Sequence, residues 1–390
     1  MLSFLNTEIA FKGRCNRELN RSYVLFKMMG YPSLVKYGKG MLRWAFRLHL
    51  PIKGLIKNTL YKQFCGGENI EECKEVVNEM YEKYKVGTIL DYSAEGQEND
   101  VSFENSKDEV LATIALAKGN RKIPFTVFKI TGLARFELLE KVQSGEVLNT
   151  SEAEEYAKVK GRISLICQSA FDSKVRVFID AEETWIQQVI DGLAEEMIKK
   201  YNREQAIVFN TVQLYRNDRI SYIKDQIEKA REERYCLALK LVRGAYMEKE
   251  RKRAQVVGYG SPINGNKEDT DRLFNKALTI CVENIDTVHI CAATHNESSC
   301  LHLIHMIKQK GIKINDERIY FAQLFGMSNH ISFNLAAEGY NVAKYVPYGP
   351  VEKLVPYLIR RAKENTSIAG QTGRELRLIM SEKNRRKTIA

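Results

Sequence analysis

Eight short runs rich in β-branched and aromatic residues recur along the chain, separated by longer stretches with helical periodicity. The runs cover residues 88–93, 125–131, 175–181, 206–215, 236–246, 289–295, 319–326 and 343–349. Strands that alternate with helices form right-handed β-α-β units, whose strands lie parallel in one sheet. Eight such units close most simply into an α/β barrel of the TIM type, and an open doubly wound sheet is the alternative.

The segment before the first run differs in composition from the rest of the chain. Residues 1–70 are predicted to form a basic helical arm, and residues 71–390 the barrel. Within the arm, residues 40–50 and 52–64 mix apolar and basic positions at roughly helical spacing. The arm either packs against the main domain as a helical layer or lies on an acidic lipid surface, and the sequence allows both.

Charge and cysteine usage limit the classes of function. The net charge is +11, which favours an anionic partner or reflects a lysine-rich mixed surface. Basic residues are dispersed and no nucleic-acid-binding module appears, so nucleic acid is not an expected partner. The eight cysteines form no CxxC pair, and no signal peptide or apolar run of about 18 residues appears. We expect a cytoplasmic protein that can also bind peripherally to the inner face of the cell membrane.

Polar residues recur where the predicted strands end. They are Lys129, Asp180, Gln213, Arg243, Tyr246, His295, Asn296 and Tyr345. A charged group inside an apolar strand is costly unless it is paired or faces a polar site. Because barrel enzymes carry their active sites at the carboxyl ends of the strands, the set predicts a site there.

The last predicted strand is followed by a pair of cations. Tyr345 lies in that strand, and Arg360 and Arg361 follow on a predicted helix with Glu364 one turn later. An aromatic ring with two guanidinium groups suits a small anionic molecule with an apolar body and a carboxylate. His295, His302 and His305 raise the alternative of a metal-dependent barrel hydrolase, but the last two fall in a helical pattern, and we predict no metal site.

Six segments together resemble the FAD-dependent proline dehydrogenases. They are IDAEE (179–183), KLVRGAY (240–246), ATHN (293–296), QLFGM (323–327), YVPYGP (345–350) and PYLIRRAKEN (356–365), in the order found in that family. The resemblance covers residues 85–375 and implies a distorted (βα)8 barrel. It also implies oxidation of L-proline to Δ1-pyrroline-5-carboxylate by hydride transfer to FAD N5, the first step of proline catabolism. The chain resembles the monofunctional bacterial members, because it carries no aldehyde dehydrogenase region.

The resemblance assigns roles in substrate binding. Arg360, Arg361 and Lys129 would hold the substrate carboxylate, while Tyr345, Tyr246 and Leu324 would form the apolar wall around the ring. Asp180 is either the proton acceptor or the group that orients Lys129. Tyr345 favours proline, since relatives that prefer hydroxyproline carry a small residue here; hydroxyproline dehydrogenase is the alternative.

The resemblance also implies a flavin site. Its predicted members are Asp180, Ala181, Thr211, Gln213, Lys240, Val242, Gly244, Ala245, Tyr246, Ala293, Thr294, His295, Asn296, Leu324, Glu364 and Asn365. Gly244 is expected to let the backbone approach the flavin closely. Because no GxGxxG follows a strand, residues 261–267 are the candidate diphosphate contact. Lys240 stands where bifunctional bacterial members carry Arg, which keeps the charge but loses the planar fork.

Partners follow from the same resemblance. Family members commonly reduce membrane quinone, and the basic arm with residues 383–387 could supply transient attraction to a membrane surface. A separate pyrroline-5-carboxylate dehydrogenase would consume the product.

Overall fold

The computed structural model describes residues 2–31, 53–92, 99–367 and 371–389, with all their side chains except those of residues 55, 363–367 and 371–372. Eight strands follow one another in chain order around a closed barrel. They are β1 Gly87–Tyr92, β2 Phe125–Lys129, β3 Arg176–Asp180, β4 Val208–Gln213, β5 Leu237–Val242, β6 Val288–Ala293, β7 Ile319–Leu324 and β8 Val342–Tyr348. Each overlaps one predicted run, so the predicted α/β barrel is confirmed and the open sheet is excluded.

Helices connect the strands, and several begin at a side-chain cap. The Asn149 side chain accepts a hydrogen bond from the Glu152 amide, and the Glu152 carboxylate accepts one from the Asn149 amide. This reciprocal pair satisfies two backbone amides that have no partner within the helix. The helices are Thr7–Phe11, Asn16–Met29, Lys53–Ile56, Lys62–Phe64, Ile70–Tyr84, Asp100–Ala117, Phe136–Ser144, Thr150–Ser173, Thr184–Tyr201, Arg219–Glu232, Met247–Val257, Lys267–Glu283, Glu297–Gln309, Asn329–Ala337, Val351–Ser367 and Gln371–Ile389. A π-helical turn covers Lys57–Tyr61, and a 3₁₀ turn covers Ile130–Gly132.

The chain divides into two compact units. The first unit comprises Met1–Thr88 with Gln323–Ala390, and the second comprises Ile89–Ala322. The predicted boundary between an arm at residues 1–70 and a barrel at 71–390 stays a prediction.

Aromatic rings fill the interior of the second unit. Phe125 stacks on Phe178 with centroids 4.4 Å apart and meets Phe209 edge-on at 5.4 Å. The ring of Tyr320 also meets Phe125 edge-on, at 4.8 Å, and the guanidinium of Arg176 lies over both rings. Since side chains alternate along a strand, these rings identify which residues of β2, β3, β4 and β7 face inward.

Helices near both ends of the chain share an apolar core in the first unit. Its larger members are Phe11, Phe26, Tyr61, Phe64, Leu354, Leu358 and Leu378. Arg386 donates to the carbonyl oxygens of Phe11 at 3.0 Å and Arg14 at 2.8 Å, which ties the last helix to the first. The described part of the predicted arm therefore packs as a helical layer, while residues 40–50 lie outside the described ranges. Every helix within those ranges is too short or too polar to cross a lipid bilayer.

Candidate functional site

Strand β4 presents polar side chains on both of its faces. Asn210 donates to Asp191 and to the Tyr222 hydroxyl, both on helices, so Asn210 faces outward. Thr211 therefore faces the interior with Phe209. The Thr211 hydroxyl is buried and has no hydrogen-bond partner among the described residues. A buried hydroxyl without a partner is costly, so this one fits a polar atom of a bound ligand.

Asp180 and Lys240 form an ion pair across the interior. Lys240 Nζ donates to Asp180 Oδ1, and the ammonium group lies 5.2 Å from the centre of the Phe178 ring. The two residues come from β3 and β5, so their side chains reach past β4. The side chains of Lys240 and Asp180 are 4% and 14% exposed. These two predicted flavin contacts therefore lie together, and the Asp180 carboxylate, which the sequence suggested as the group that orients Lys129, is bonded to Lys240.

Lys129 lies beside two carboxylates. It ends β2, where its strand partner is Asp180, and its positive charge also acts on Glu182, just after β3. Glu182 accepts hydrogen bonds from the amide and the hydroxyl of Thr131. Burial raises the pKa of Glu182 to about 7, and Lys129 and Thr131 oppose that rise.

Gln213 ties the ends of three strands together. Its amide nitrogen donates to the Glu182 carbonyl at 2.7 Å, and its amide oxygen accepts from the Ala245 amide at 3.2 Å. Gln213 is a predicted flavin contact, and the structure adds a structural role for it. Ala181, also predicted, is buried at the turn that Gln213 holds.

The end of β5 and the segment after it carry the predicted flavin contacts Val242, Gly244, Ala245 and Tyr246. Gly244 and Ala245 are exposed, whereas Val242 and Tyr246 are partly buried. Gly244 has φ +133°, and a Cβ there would lie 2.5 Å from the Tyr215 ring. Glycine is thus required for local packing, in addition to any close approach of a ligand.

Arg243, in the same segment, holds the loop after β6. Its guanidinium donates to Asp271 at 2.6 Å, to the Thr294 hydroxyl and to the Ser299 hydroxyl at 2.9 Å. Ala293 ends β6, and His295 is partly exposed. Asn296 caps helix Glu297–Gln309 by accepting from the Ser299 amide. The four residues predicted to contact a ribityl and phosphate group are therefore contiguous at one helix start.

Residues 261–267, the predicted diphosphate contact, are bonded to the segment after β4 and to the start of the next helix. Asn264 donates to the Leu214 carbonyl at 3.2 Å, and Asn266 caps helix Lys267–Glu283 by accepting from the Asp269 amide. This contact stays a prediction.

The first unit carries the other candidate residues. Leu324 ends β7, and Tyr345 lies in β8, 7% exposed. The amide of Phe325 donates to the Tyr345 carbonyl at 2.8 Å, so the two strand ends are connected. Arg361 is buried, with its guanidinium 5.1 Å from the Tyr357 ring centre, while Arg360 is partly exposed. The side chains of Glu364 and Asn365 lie outside the described part of helix Val351–Ser367.

Glu182 and Lys344 are among the buried ionisable groups that sequence reasoning did not single out as site residues. Lys344 is fully buried in β8 and donates to the backbone carbonyl oxygens of Leu324 and Met327. The signal was present, because Lys344 interrupts an apolar strand as Lys129 does. For Glu182 the sequence offered no comparable indication of burial, because it only follows Asp180 by two positions, after the strand ends.

His302, one of the histidines that suggested a metal-dependent hydrolase, makes a contact between two helices. His302 Nε2 lies 2.9 Å from the Thr279 hydroxyl, a helix-to-helix contact. Among the described residues, no three His, Cys, Asp or Glu side chains are grouped so as to hold a metal ion.

Comparison with known proteins decides the family. The model of the family described as "Proline dehydrogenase" matches residues 74–374. The chain belongs to the proline dehydrogenase family. The matched range contains every candidate residue named above, so the resemblance in the six segments is confirmed.

Two curated relatives are similar to this chain in sequence, and one solved structure is similar to it in fold. Proline dehydrogenase 1, mitochondrial, of Drosophila melanogaster is 38% identical over 245 residues, which are 60% of this chain and 36% of that protein. The hydroxyproline dehydrogenase of Xenopus laevis is 29% identical over 412 residues, 96% of this chain and 88% of that protein. Proline utilization A from Bdellovibrio bacteriovorus, inactivated by N-propargylglycine, has a TM-score of 0.75 at 20% identity, covering 95% of this chain and 42% of that one. That structure has the same fold.

Proposed function

We propose that this protein oxidises L-proline to Δ1-pyrroline-5-carboxylate with FAD as its cofactor. The observation that carries the proposal is the family match over residues 74–374, which includes all the candidate site residues. When bound, FAD would accept a hydride from the ring carbon next to the proline nitrogen.

Three cationic side chains serve the substrate carboxylate in this proposal. Arg361 is suited to the task because it is buried and its guanidinium packs against Tyr357, which restricts its rotamers. Arg360 and Lys129 complete the set. A carboxylate held by more than one cation is fixed in orientation, as hydride transfer requires.

Leu324, Tyr345 and Tyr246 would bind the apolar ring of proline. Tyr345 is held in place by its strand and by the bond from the Phe325 amide to its carbonyl. The proposal of proline over hydroxyproline rests on the size of Tyr345, and the Xenopus laevis relative makes hydroxyproline the comparison substrate.

The interior of the second unit supports a flavin. The Thr211 hydroxyl, buried without a described partner, supplies a polar group for the ligand. Lys240 keeps a positive charge there, and Asp180 fixes the position of its ammonium group through the ion pair. We assign Asp180 this positioning role, which also leaves the proton acceptor for the substrate amine unassigned. Ala181, Gln213, Val242, Gly244, Ala245, Thr294, His295, Asn296, Glu364 and Asn365 are the further proposed contacts.

Electrons would pass to membrane quinone, and the product to a separate pyrroline-5-carboxylate dehydrogenase. An exposed face of helix Asn16–Met29 supports a membrane contact, since it combines Val24 and Met28 with Lys27. In this proposal residues 383–387 contribute less to the attraction to a membrane than their sequence suggested. The reason is that Arg386 is bonded to Glu382 and to the backbone carbonyls of Arg14 and Phe11.

Vesicle binding tests the membrane contact. We expect Lys27→Glu/Lys387→Glu to lower cosedimentation with anionic vesicles relative to Lys118→Glu/Lys310→Glu, which carries the same charge change at exposed lysines elsewhere. Equal binding of the two variants would remove the support for this face.

The carboxylate assignment is tested with Arg361→Ala. A charged hydrogen bond contributes about 1.5–3 kcal/mol, so the proline concentration that half-bleaches the flavin should rise about 10- to 100-fold. Arg377→Ala, an exposed arginine on the last helix, is the control and should match the wild type. Undiminished proline affinity in Arg361→Ala, with normal flavin content, would show that the carboxylate is bound elsewhere.

A further inference from the structure

Lys344 is a charged residue type in a fully buried position of β8. Its side chain is 0% exposed, and its nitrogen donates to the carbonyl oxygens of Leu324, at 3.2 Å, and Met327. The nitrogen also lies 5.8 Å from the Phe333 ring centre. Two carbonyl acceptors match the two N–H groups of a neutral amine. Burial lowers the pKa of Lys344 to about 7, with Glu375 opposing and Arg14 adding to the shift.

The loop that Lys344 holds contains one non-glycine residue, Ser328, in the left-handed backbone region, and one glycine that has no room for a side chain. Gly326 has φ +76° and Ser328 has φ +50°, the left-handed region that non-glycine residues rarely adopt. A Cβ at Gly326 would lie 1.9 Å from the Gln63 carbonyl oxygen. Such conformations persist only where surrounding contacts fix them.

Contacts from three separate segments fix this loop. Gln63 donates to the Gly326 carbonyl at 2.9 Å, and the Ser328 amide donates to Glu375 at 2.6 Å. Lys344 supplies the third contact through Leu324 and Met327. Of the three, only Lys344 bonds directly to Leu324, the residue at the end of β7, and only Lys344 is the chain neighbour of Tyr345.

We propose that Lys344 is a positioning residue that sets the location of Leu324 and Tyr345, and thereby the affinity for the substrate ring. The inference rests on the proposed function, since it takes these two residues as the wall of the proline site. Lys344 itself touches backbone on the side of helix Asn329–Ala337 and takes no part in the chemistry.

The test compares Lys344→Met with Lys353→Met, an exposed lysine on the next helix. Methionine keeps the length and the apolar stem but removes the Nζ donor from both carbonyl oxygens, and the Leu324 carbonyl then keeps its bond from the Met327 amide, at 3.2 Å. We expect Lys344→Met to raise KM for proline about tenfold while kcat changes less than threefold, and to narrow the preference for proline over hydroxyproline. Lys353→Met should match the wild type.

An unchanged KM in folded Lys344→Met would overturn the inference, and so would a lower kcat at unchanged KM. If the single variant does not accumulate, Lys344→Met/Ser328→Gly carries the same comparison, with Ser328→Gly as its reference, because glycine adopts the left-handed conformation without strain. Failure of the wild type to oxidise proline would instead overturn the proposed function, so the two failures are distinguishable.

Discussion

Glu182→Gln should change the pH dependence of stability in a direction that the buried end of β3 determines. The carboxyl group accepts two hydrogen bonds from Thr131, and burial raises its pKa to about 7 from 4.5. Glutamine has nearly the same shape and can bond to Thr131, but it does not ionise. The difference between the two proteins therefore isolates the cost of a buried negative charge.

The sign follows from proton linkage. Because the pKa of Glu182 is higher in the folded protein than in the unfolded chain, the unfolded chain releases this proton at a lower pH. The stability that protonated Glu182 contributes is therefore fully present below pH 4.5. It is lost as the pH rises through about 7. A shift of one pKa unit corresponds to about 1.36 kcal/mol. The free energy of unfolding of Glu182→Gln should therefore be higher than that of the wild type by about 1 kcal/mol at pH 5.5 and by about 3 kcal/mol at pH 8.5.

Urea unfolding followed by circular dichroism at these two pH values measures the difference. Glu204→Gln, an exposed glutamate of the second unit, is the control and should track the wild type at both. A Glu182→Gln difference that stays constant with pH, or a variant less stable than the wild type at pH 8.5, would refute the reasoning.

Two further perturbations test the packing of the site. Lys240→Met should lower the free energy of unfolding by about 3 kcal/mol because it removes the ammonium partner of Asp180, whose side chain is only 14% exposed, and Asp180→Asn in that background should restore part of the loss; strictly additive losses in a double-mutant cycle would contradict the pairing. Gly326→Ala should lower the apparent Tm more than Gly258→Ala, since both positions have positive φ but only the first would place a Cβ against the Gln63 carbonyl; equal shifts would show that the loop relaxes.

The barrel could be predicted because its signal is local and repeated. Each strand is a short run bounded by helical periodicity, and a closed parallel barrel needs only the count and the order of those runs. Lys129 and Asp180 could be predicted for a related reason, because a charge inside an apolar run implies a polar destination. The same reasoning applied to Lys344 would have found it.

Pairing across the interior could not be predicted. Asp180 and Lys240 are brought together by the curvature of the barrel, since they lie on β3 and β5 with β4 between them. Sequence reasoning placed Asp180 beside Lys129, its neighbour on the adjacent strand, which strand order alone suggests. Glu182 illustrates the same limit, because nothing in IDAEE reveals that its carboxyl group is buried against Thr131.

The absorption spectrum of the purified protein, titrated with proline without oxygen, tests the central claim most directly. We predict visible flavin bands, present on purification or after incubation with FAD, that bleach on addition of proline and bleach less readily with hydroxyproline. A protein that takes up no flavin, or whose flavin bands persist at saturating proline, would contradict the account.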